Sequence, residues 1–189
     1  MRATHAVIHL ENLRHNLRVV KKLLGPGRKI CLAVKADAYG HGAVPIAKVG
    51  LAEGATHLGV ATIEEGYELR QAGIKAPILL LSLPDPSEIP ELMHNELTPL
   101  VADEGLVKLL AAEASRQGKR LNVHLKVDTG MGRIGCKPQE ALALAQLVAQ
   151  FPSLYLEGVA THFAQADAPS NQFTRTQLDL FFNLVLPLV

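Results

Sequence analysis

The sequence predicts an α/β protein built on parallel strands. Short runs rich in Val, Ile and Leu recur along the chain, and each is followed by a longer stretch with helical apolar spacing. Several of those stretches open on a residue suited to a first helical turn, such as Asp103 before GLVKLLAAEA and Pro138 before QEALALAQLV. Regular alternation of this kind implies right-handed crossovers between parallel strands.

A lone strand is expected at Ala6 to Leu10, followed by a helix running through Leu24. Six strand-helix units come next. The apolar run Lys29 to Val34 leads to a helix over Ala43 to Glu53, and His57 to Ala61 leads to Ile63 to Ala72. Ile78 to Leu83 is followed by Pro86 to Asn95, and Leu97 to Ala102 by Asp103 to Gln117. Leu121 to Val127 precedes Pro138 to Gln150, and Tyr155 to His162 precedes Thr174 to Leu186. No composition shift marks an internal boundary, so residues 1–189 read as one domain.

An open doubly wound sheet and a (β/α)8 barrel both satisfy the alternation. Eight barrel units take about 250 residues, or about 31 each, so 189 residues have room for about six of them. A barrel here is expected to be unfinished. The chain also stops in LVLPLV without a further strand, which suggests part of a longer protein.

With 48% hydrophobic and 20% charged residues, the chain can bury one substantial core. A formal charge of +1 provides no field of one sign to steer nucleic acid or an anionic membrane, leaving small molecules as the expected partners. The opening MRATHAVIHLENLRHNL breaks its apolar residues with polar ones, unlike a signal peptide, and no run approaches the roughly 18 apolar residues of a membrane span. Cys31 and Cys136 read as two reduced thiols of a cytoplasmic protein, and no residues have the spacing of a metal site.

Strand parity places the polar residues. In KICLAVK, Ile30, Leu32 and Val34 can face the helices, which leaves Cys31, Ala33 and Lys35 on the opposite, inward face. The same split in LNVHLKVD puts Asn122, His124 and Lys126 inward, and in LEGVATHF it puts His162 with the small residues Gly158 and Ala160. Lys35, Lys126 and His162 thus share the carboxyl ends of strands, where α/β barrels keep their active sites. Each also has an ordinary reading: Lys35 as a solvated surface charge, Lys126 paired with Asp128, and His162 as a hydrogen-bonded rim histidine.

A lysine amine whose pKa is lowered by an apolar pocket or nearby cations is a nucleophile toward carbonyls, including the aldehyde of pyridoxal phosphate. Beyond Lys35, Tyr39 is a candidate phosphate donor, and Gly40 and Gly42 would let the backbone approach an anion ahead of a helix start. The stretch DTGMGRIG carries a rival signal, since Gly130, Gly132 and Gly135 have the spacing of a dinucleotide-binding turn. The acidic residue expected at the end of the next strand is missing, Glu157 lying near that strand's beginning. Arg133 in this stretch can hold a carboxylate or polarise an oxygen, or be merely an exposed arginine on a glycine-rich connection.

AVKADAYGHG, residues 33 to 42, resembles the pyridoxal-phosphate attachment motif of alanine racemases. HLKVDTGMGRIG (124 to 135) and VATHFAQAD (159 to 167) resemble two further segments of that family in the same order and spacing. The resemblance implies an amino-terminal (β/α)8 barrel, a carboxyl-terminal β domain and a homodimer. It implies that Lys35 forms the internal aldimine with pyridoxal 5'-phosphate and acts as one catalytic base, and that Tyr39 contacts the cofactor phosphate. Arg133 would meet the cofactor's phenolic oxygen and the substrate carboxylate. Lys126, carbamylated in some members, would orient that arginine, and His162 would lie by the pyridine ring.

The implied reaction interconverts L-alanine and D-alanine, supplying D-alanine for cell-wall peptidoglycan. The family's second base, a tyrosine from the partner subunit's carboxyl-terminal domain, has no counterpart in this sequence. The last barrel strands and the β domain are also without one, and little or no racemase activity is therefore expected of this chain alone. Two other readings stand beside it: a non-catalytic barrel that binds pyridoxal phosphate, and a nucleotide-binding module using the Gly130 to Gly135 turn.

Overall fold

Val34, Leu58, Val60, Ile78 and Leu80 are almost completely buried, and removing these side chains from water is what draws three short apolar runs into one sheet. In the computed structural model, which describes residues 4–168 and 170–188, they belong to the first of two compact units. That unit holds the chain up to Leu81 together with Asn95–Leu97, and the second holds Ser82–His94 and the chain from Thr98 onward. Both repeat one strand-helix pattern with one composition, so no shift in residue usage marks the division.

In the first unit, helix α1 (Leu10–Leu24) is followed by β1 (Cys31–Ala33), α2 (Ala43–Ala52), β2 (His57–Val60), α3 (Ile63–Gln71) and β3 (Ile78–Leu80). The strands pair in parallel, with Cys31 opposite His57 and Leu58 opposite Ile78. Leu17 is the buried residue of α1, whose Arg14 and Arg18 reach Glu53 just beyond α2 at 3.1 and 2.8 Å. Helix α3 begins on a capping box in which Thr62 and Glu65 each accept a backbone N–H of the other.

The expected strand at Ala6 to Leu10 does not form. Residues 4–9 are exposed, no ladder partner lies beside them among the described residues, and Leu10 instead opens α1. An apolar alternation makes a strand only where another strand takes up its backbone groups.

The second unit begins with a 3-10 turn (Pro86–Glu88) capped by Asp85 and helix α4 (Ile89–His94). It continues through β4 (Leu97–Val101, its first residue in the other unit), α5 (Glu104–Arg116), β5 (Leu121–Lys126), α6 (Ala141–Ala149), β6 (Leu154–Ala160) and α7 (Phe173–Leu180). As its sequence predicts, α5 is capped by Asp103, whose carboxylate accepts the Leu106 N–H at 2.9 Å. Strands β4, β5 and β6 are parallel neighbours, with Leu100 opposite His124 and Leu121 opposite Leu154. Val123, Leu125, Val107, Leu110 and Val148 form the buried side of this sheet and its helices. Residues 1–3, 169 and 189 of the expected domain lie outside the described residues. No helix among the described residues is long and apolar enough to cross a membrane.

Arg70 closes α3 onto the rest of its unit. Its guanidinium donates to the carbonyls of Ile74 and Ala76 at 2.8 Å, Asn95 at 2.9 Å and Glu96 at 3.0 Å. Arg70→Met keeps much of the aliphatic stem and leaves these carbonyls without a charged donor. We expect a loss of about 2 kcal/mol in denaturant-induced unfolding, with α3 still helical by circular dichroism.

Candidate functional site

Lys35 stands at the carboxyl end of β1, as parity predicts. The preceding Val34 is fully buried and donates its N–H to Gly59 on β2 at 2.8 Å, which keeps the backbone in line with the sheet up to the lysine. Lys35 itself is half-buried. Beyond it the chain does something its residues do not advertise: Ala36, Asp37, Ala38 and Tyr39 lie in the left-handed region, with φ of 50, 52, 51 and 57°. For L-residues that conformation costs roughly 1–2 kcal/mol apiece.

Hydrogen bonds on every side hold the turn. Ala38 donates to Val34 O at 2.8 Å, Gly42 to Asp37 O at 2.9 Å, and Ala43, at the start of α2, to the Asp37 carboxylate at 2.7 Å. The Glu65 carboxylate accepts the Ala36 N–H at 2.6 Å and the Ala61 N–H at 2.7 Å. Sequence reasoning passed over Asp37 and Glu65. The Thr62-x-x-Glu65 spacing is a legible capping box, but nothing in it signals that the carboxylate also reaches Ala36.

This turn corrects one expectation. Gly40 and Gly42 were expected to open backbone toward an anion at the start of α2, yet the Gly42 and Ala43 amides are already bonded to Asp37. An aspartate carboxylate at that helix start would repel a phosphate. The Tyr39 side chain, by contrast, is 61% exposed and its phenol is open to a ligand.

In the second unit Lys126 ends β5 and is only 5% exposed. Burial pushes its amine down to about 8, Asp128 pulls in the opposite direction, and the Arg133 charge lowers it further. Lys126 and Arg133 are therefore within electrostatic reach of one another, with Asp128 beside them. Burial opposes ionisation of Asp128, but its carboxylate accepts the N–H groups of Gly130, Met131 and Gly132 at 2.7–2.8 Å. Those bonds and the Lys126 charge hold it below the usual carboxylate range.

The glycine turn thus serves its own aspartate. A side chain at Gly135 (φ 128°) would come within 2.6 Å of the Asp128 nitrogen, so the return of the chain alongside β5 requires glycine there. The chain then runs through a 3-10 turn at Pro138–Glu140 and reaches α6 only at Ala141. A dinucleotide-binding turn leads straight into a helix and points free N–H groups at a pyrophosphate. Neither feature is present. Arg133 is exposed on this loop.

His162 lies two residues beyond the end of β6, and its side chain is exposed. Its carbonyl accepts from the amide of Gln177 at 2.9 Å, and the same fully buried side chain takes the Ala164 N–H at 2.9 Å and reaches the Thr129 hydroxyl at 3.3 Å. Gln177 ties the loop after β6 to the loop after β5, a role its place in a helical sequence pattern does not reveal. Further down the strands, a bulge inserts Glu157 between the pairs Val123–Leu156 and His124–Gly158. The bulge turns the Glu157 carboxylate onto Asn122 at 3.0 Å and His124 at 3.2 Å. Lys35 and Tyr39 thus share one turn of the first unit, and Lys126, Arg133 and His162 all stand on loops or strand ends of the second.

Parallel strand-helix repeats that bring ionisable side chains to the carboxyl ends of their strands define the class of (β/α)-barrel enzyme domains. The family model for the alanine racemase N-terminal domain matches residues 8–188, and the chain belongs to that family. The alanine racemase of Treponema denticola is 50% identical over 184 residues, 96% of this chain and 48% of its own length. That of Desulforamulus reducens is 48% identical over 177 residues, 93% of this chain and 48% of its length. An alanine racemase structure from Clostridium difficile 630 in complex with cycloserine superimposes with a TM-score of 0.89 at 39% identity, over 93% of this chain and 48% of that one. A histidine racemase from Leuconostoc mesenteroides gives 0.85 at 31% identity, over 94% and 48%. The chain spans about half the length of the curated relatives it matches.

The lowered pKa of Lys126 has a measurable sign. Its folded value is about 8 against an ordinary 10.5, so between those values the unfolded chain binds more protons. Stability should therefore rise as pH is raised through that window, by up to about 3 kcal/mol from this group. In Lys126→Met the corresponding rise in unfolding free energy between pH 7 and pH 10 should be absent.

Proposed function

We propose that this chain carries the lysine-bearing part of an amino-acid racemase that uses pyridoxal 5'-phosphate and acts on alanine. The observation that carries the proposal is Lys35, half-buried at a strand end, within a chain 40–50% identical to several alanine racemases. The available groups suit that cofactor: an amine for its aldehyde at Lys35, and an exposed phenol at Tyr39 for its phosphate. The backbone amides ahead of α2 do not suit it, being committed to Asp37. From the family resemblance alone, Arg133 and His162 are further proposed to serve cofactor and substrate.

When bound, pyridoxal phosphate supplies a conjugated sink for the electron pair left when the substrate loses its α-proton. Lys35 then takes that proton on its amine nitrogen and can return it to the same face of the α-carbon. Arg133 holds the substrate carboxylate through its planar fork. Lys126, buried beside it, orients the guanidinium. As a carbamate, formed when its neutral amine adds to carbon dioxide with loss of a proton, it would do so as an anion rather than as a competing cation.

Alanine is proposed as the substrate because several alanine racemases match at 40–50% identity, against 31% for the histidine racemase. We further infer a homodimer acting in the cytoplasm and D-alanine production for peptidoglycan, all from the family resemblance. Incubation with pyridoxal phosphate followed by borohydride and peptide mapping tests the site. The label should fall on Lys35 and disappear in Lys35→Ala. Label on Lys126 instead, or unchanged labelling in Lys35→Ala, would defeat the assignment.

A further inference from the structure

Glu65 is the third residue of α3, and its two carboxylate oxygens divide their work. Oε1 accepts the Ala36 N–H at 2.6 Å; Oε2 accepts the Ala61 N–H at 2.7 Å and the Thr62 N–H at 3.3 Å. A helix cap accounts only for the last and longest of these. The two short bonds lie outside the helix and join the backbone just after Lys35 to the backbone just after β2. Ala36 opens the left-handed run at φ 50°, and this carboxylate is the acceptor that its N–H meets.

We propose that Glu65 is a positioning residue for Lys35: it fixes the peptide that follows the lysine to the end of the neighbouring strand, and so sets where the amine is presented. This rests on the reading of Lys35 as the cofactor-attachment lysine. Among the described residues, the groups that Glu65 accepts from are the backbone N–H groups of Ala36, Ala61 and Thr62. A carboxylate is required because donors approach both oxygens. A glutamine of the same shape has one acceptor, and its NH2 group would face either Ala36 N–H or the Ala61 and Thr62 pair.

The test compares the unaltered chain with Glu65→Gln and Thr62→Ala, using pyridoxal phosphate and borohydride with peptide mapping, amide hydrogen exchange and cooperative unfolding. In Glu65→Gln the Ala36 or Ala61 amide should exchange roughly tenfold faster or more, and labelling of Lys35 should slow roughly tenfold while that of other lysines is unchanged. Thr62→Ala removes the capping hydroxyl, leaves the bonds to Ala36 and Ala61, and should label Lys35 at the normal rate. The proposal is overturned if Glu65→Gln labels Lys35 normally, if Thr62→Ala slows it as much as Glu65→Gln does, or if Glu65→Gln loses cooperative unfolding. Absence of Lys35 labelling in the unaltered chain would sink the attachment reading and the positioning role with it. Normal labelling there with unchanged amide exchange in Glu65→Gln would sink only the positioning role.

Discussion

The backbone after Lys35 runs against the preference of its own residues, and two carboxylates make that possible. Four consecutive L-residues in the left-handed region amount to several kcal/mol of local cost, on the order of 4–8 by the usual figure. Glu65 offsets part of it by accepting the Ala36 N–H, and Asp37 by accepting the Ala43 N–H where α2 begins. The strand β1, the start of α2 and the start of α3 all meet at this turn. Strain of this kind persists where surrounding structure over-determines it, and such places are enriched in functional sites.

The second unit solves a different problem, the burial of a cation. Lys126 is nearly inaccessible, yet its neighbours include both a carboxylate and a guanidinium. The Asp128 charge offsets that burial only in part, and its oxygens are also the acceptors for the amides of the glycine turn. The amine is therefore held closer to neutrality than a surface lysine, which is the state needed for either proton acceptance or carbamate formation. The glycines that look like a nucleotide loop are spent on making this arrangement.

Much of this was legible in the sequence. The six strands and their following helices appear where apolar runs and helical spacing put them, and alternation in LNVHLK placed Lys126 with His124 on the face opposite Leu121, Val123 and Leu125. What escaped notice has a common cause. AlaAspAlaTyr has the residues of an ordinary helix, and its left-handed course is held by local bonds from Gly42 and Ala43 to Asp37 and by a bond to Glu65, 29 residues away in sequence. The bulge at Glu157 and the bridging amide of Gln177 likewise exist only once neighbouring segments are in place. The lone strand at Ala6 failed for the converse reason, since its pattern was right and its partner was missing among the described residues.

The left-handed turn is the central claim, and Ala36→Gly tests it most directly. Ala36 is exposed, so the substitution removes little packing. In a right-handed helix or strand an alanine-to-glycine change costs roughly 0.5–1 kcal/mol. At φ 50° glycine relieves the clash of the Cβ, and equilibrium unfolding should show the variant more stable than the unaltered chain by about 0.5–1 kcal/mol. A loss of stability of that size would show that the chain after Lys35 is not left-handed and would contradict the account built on it.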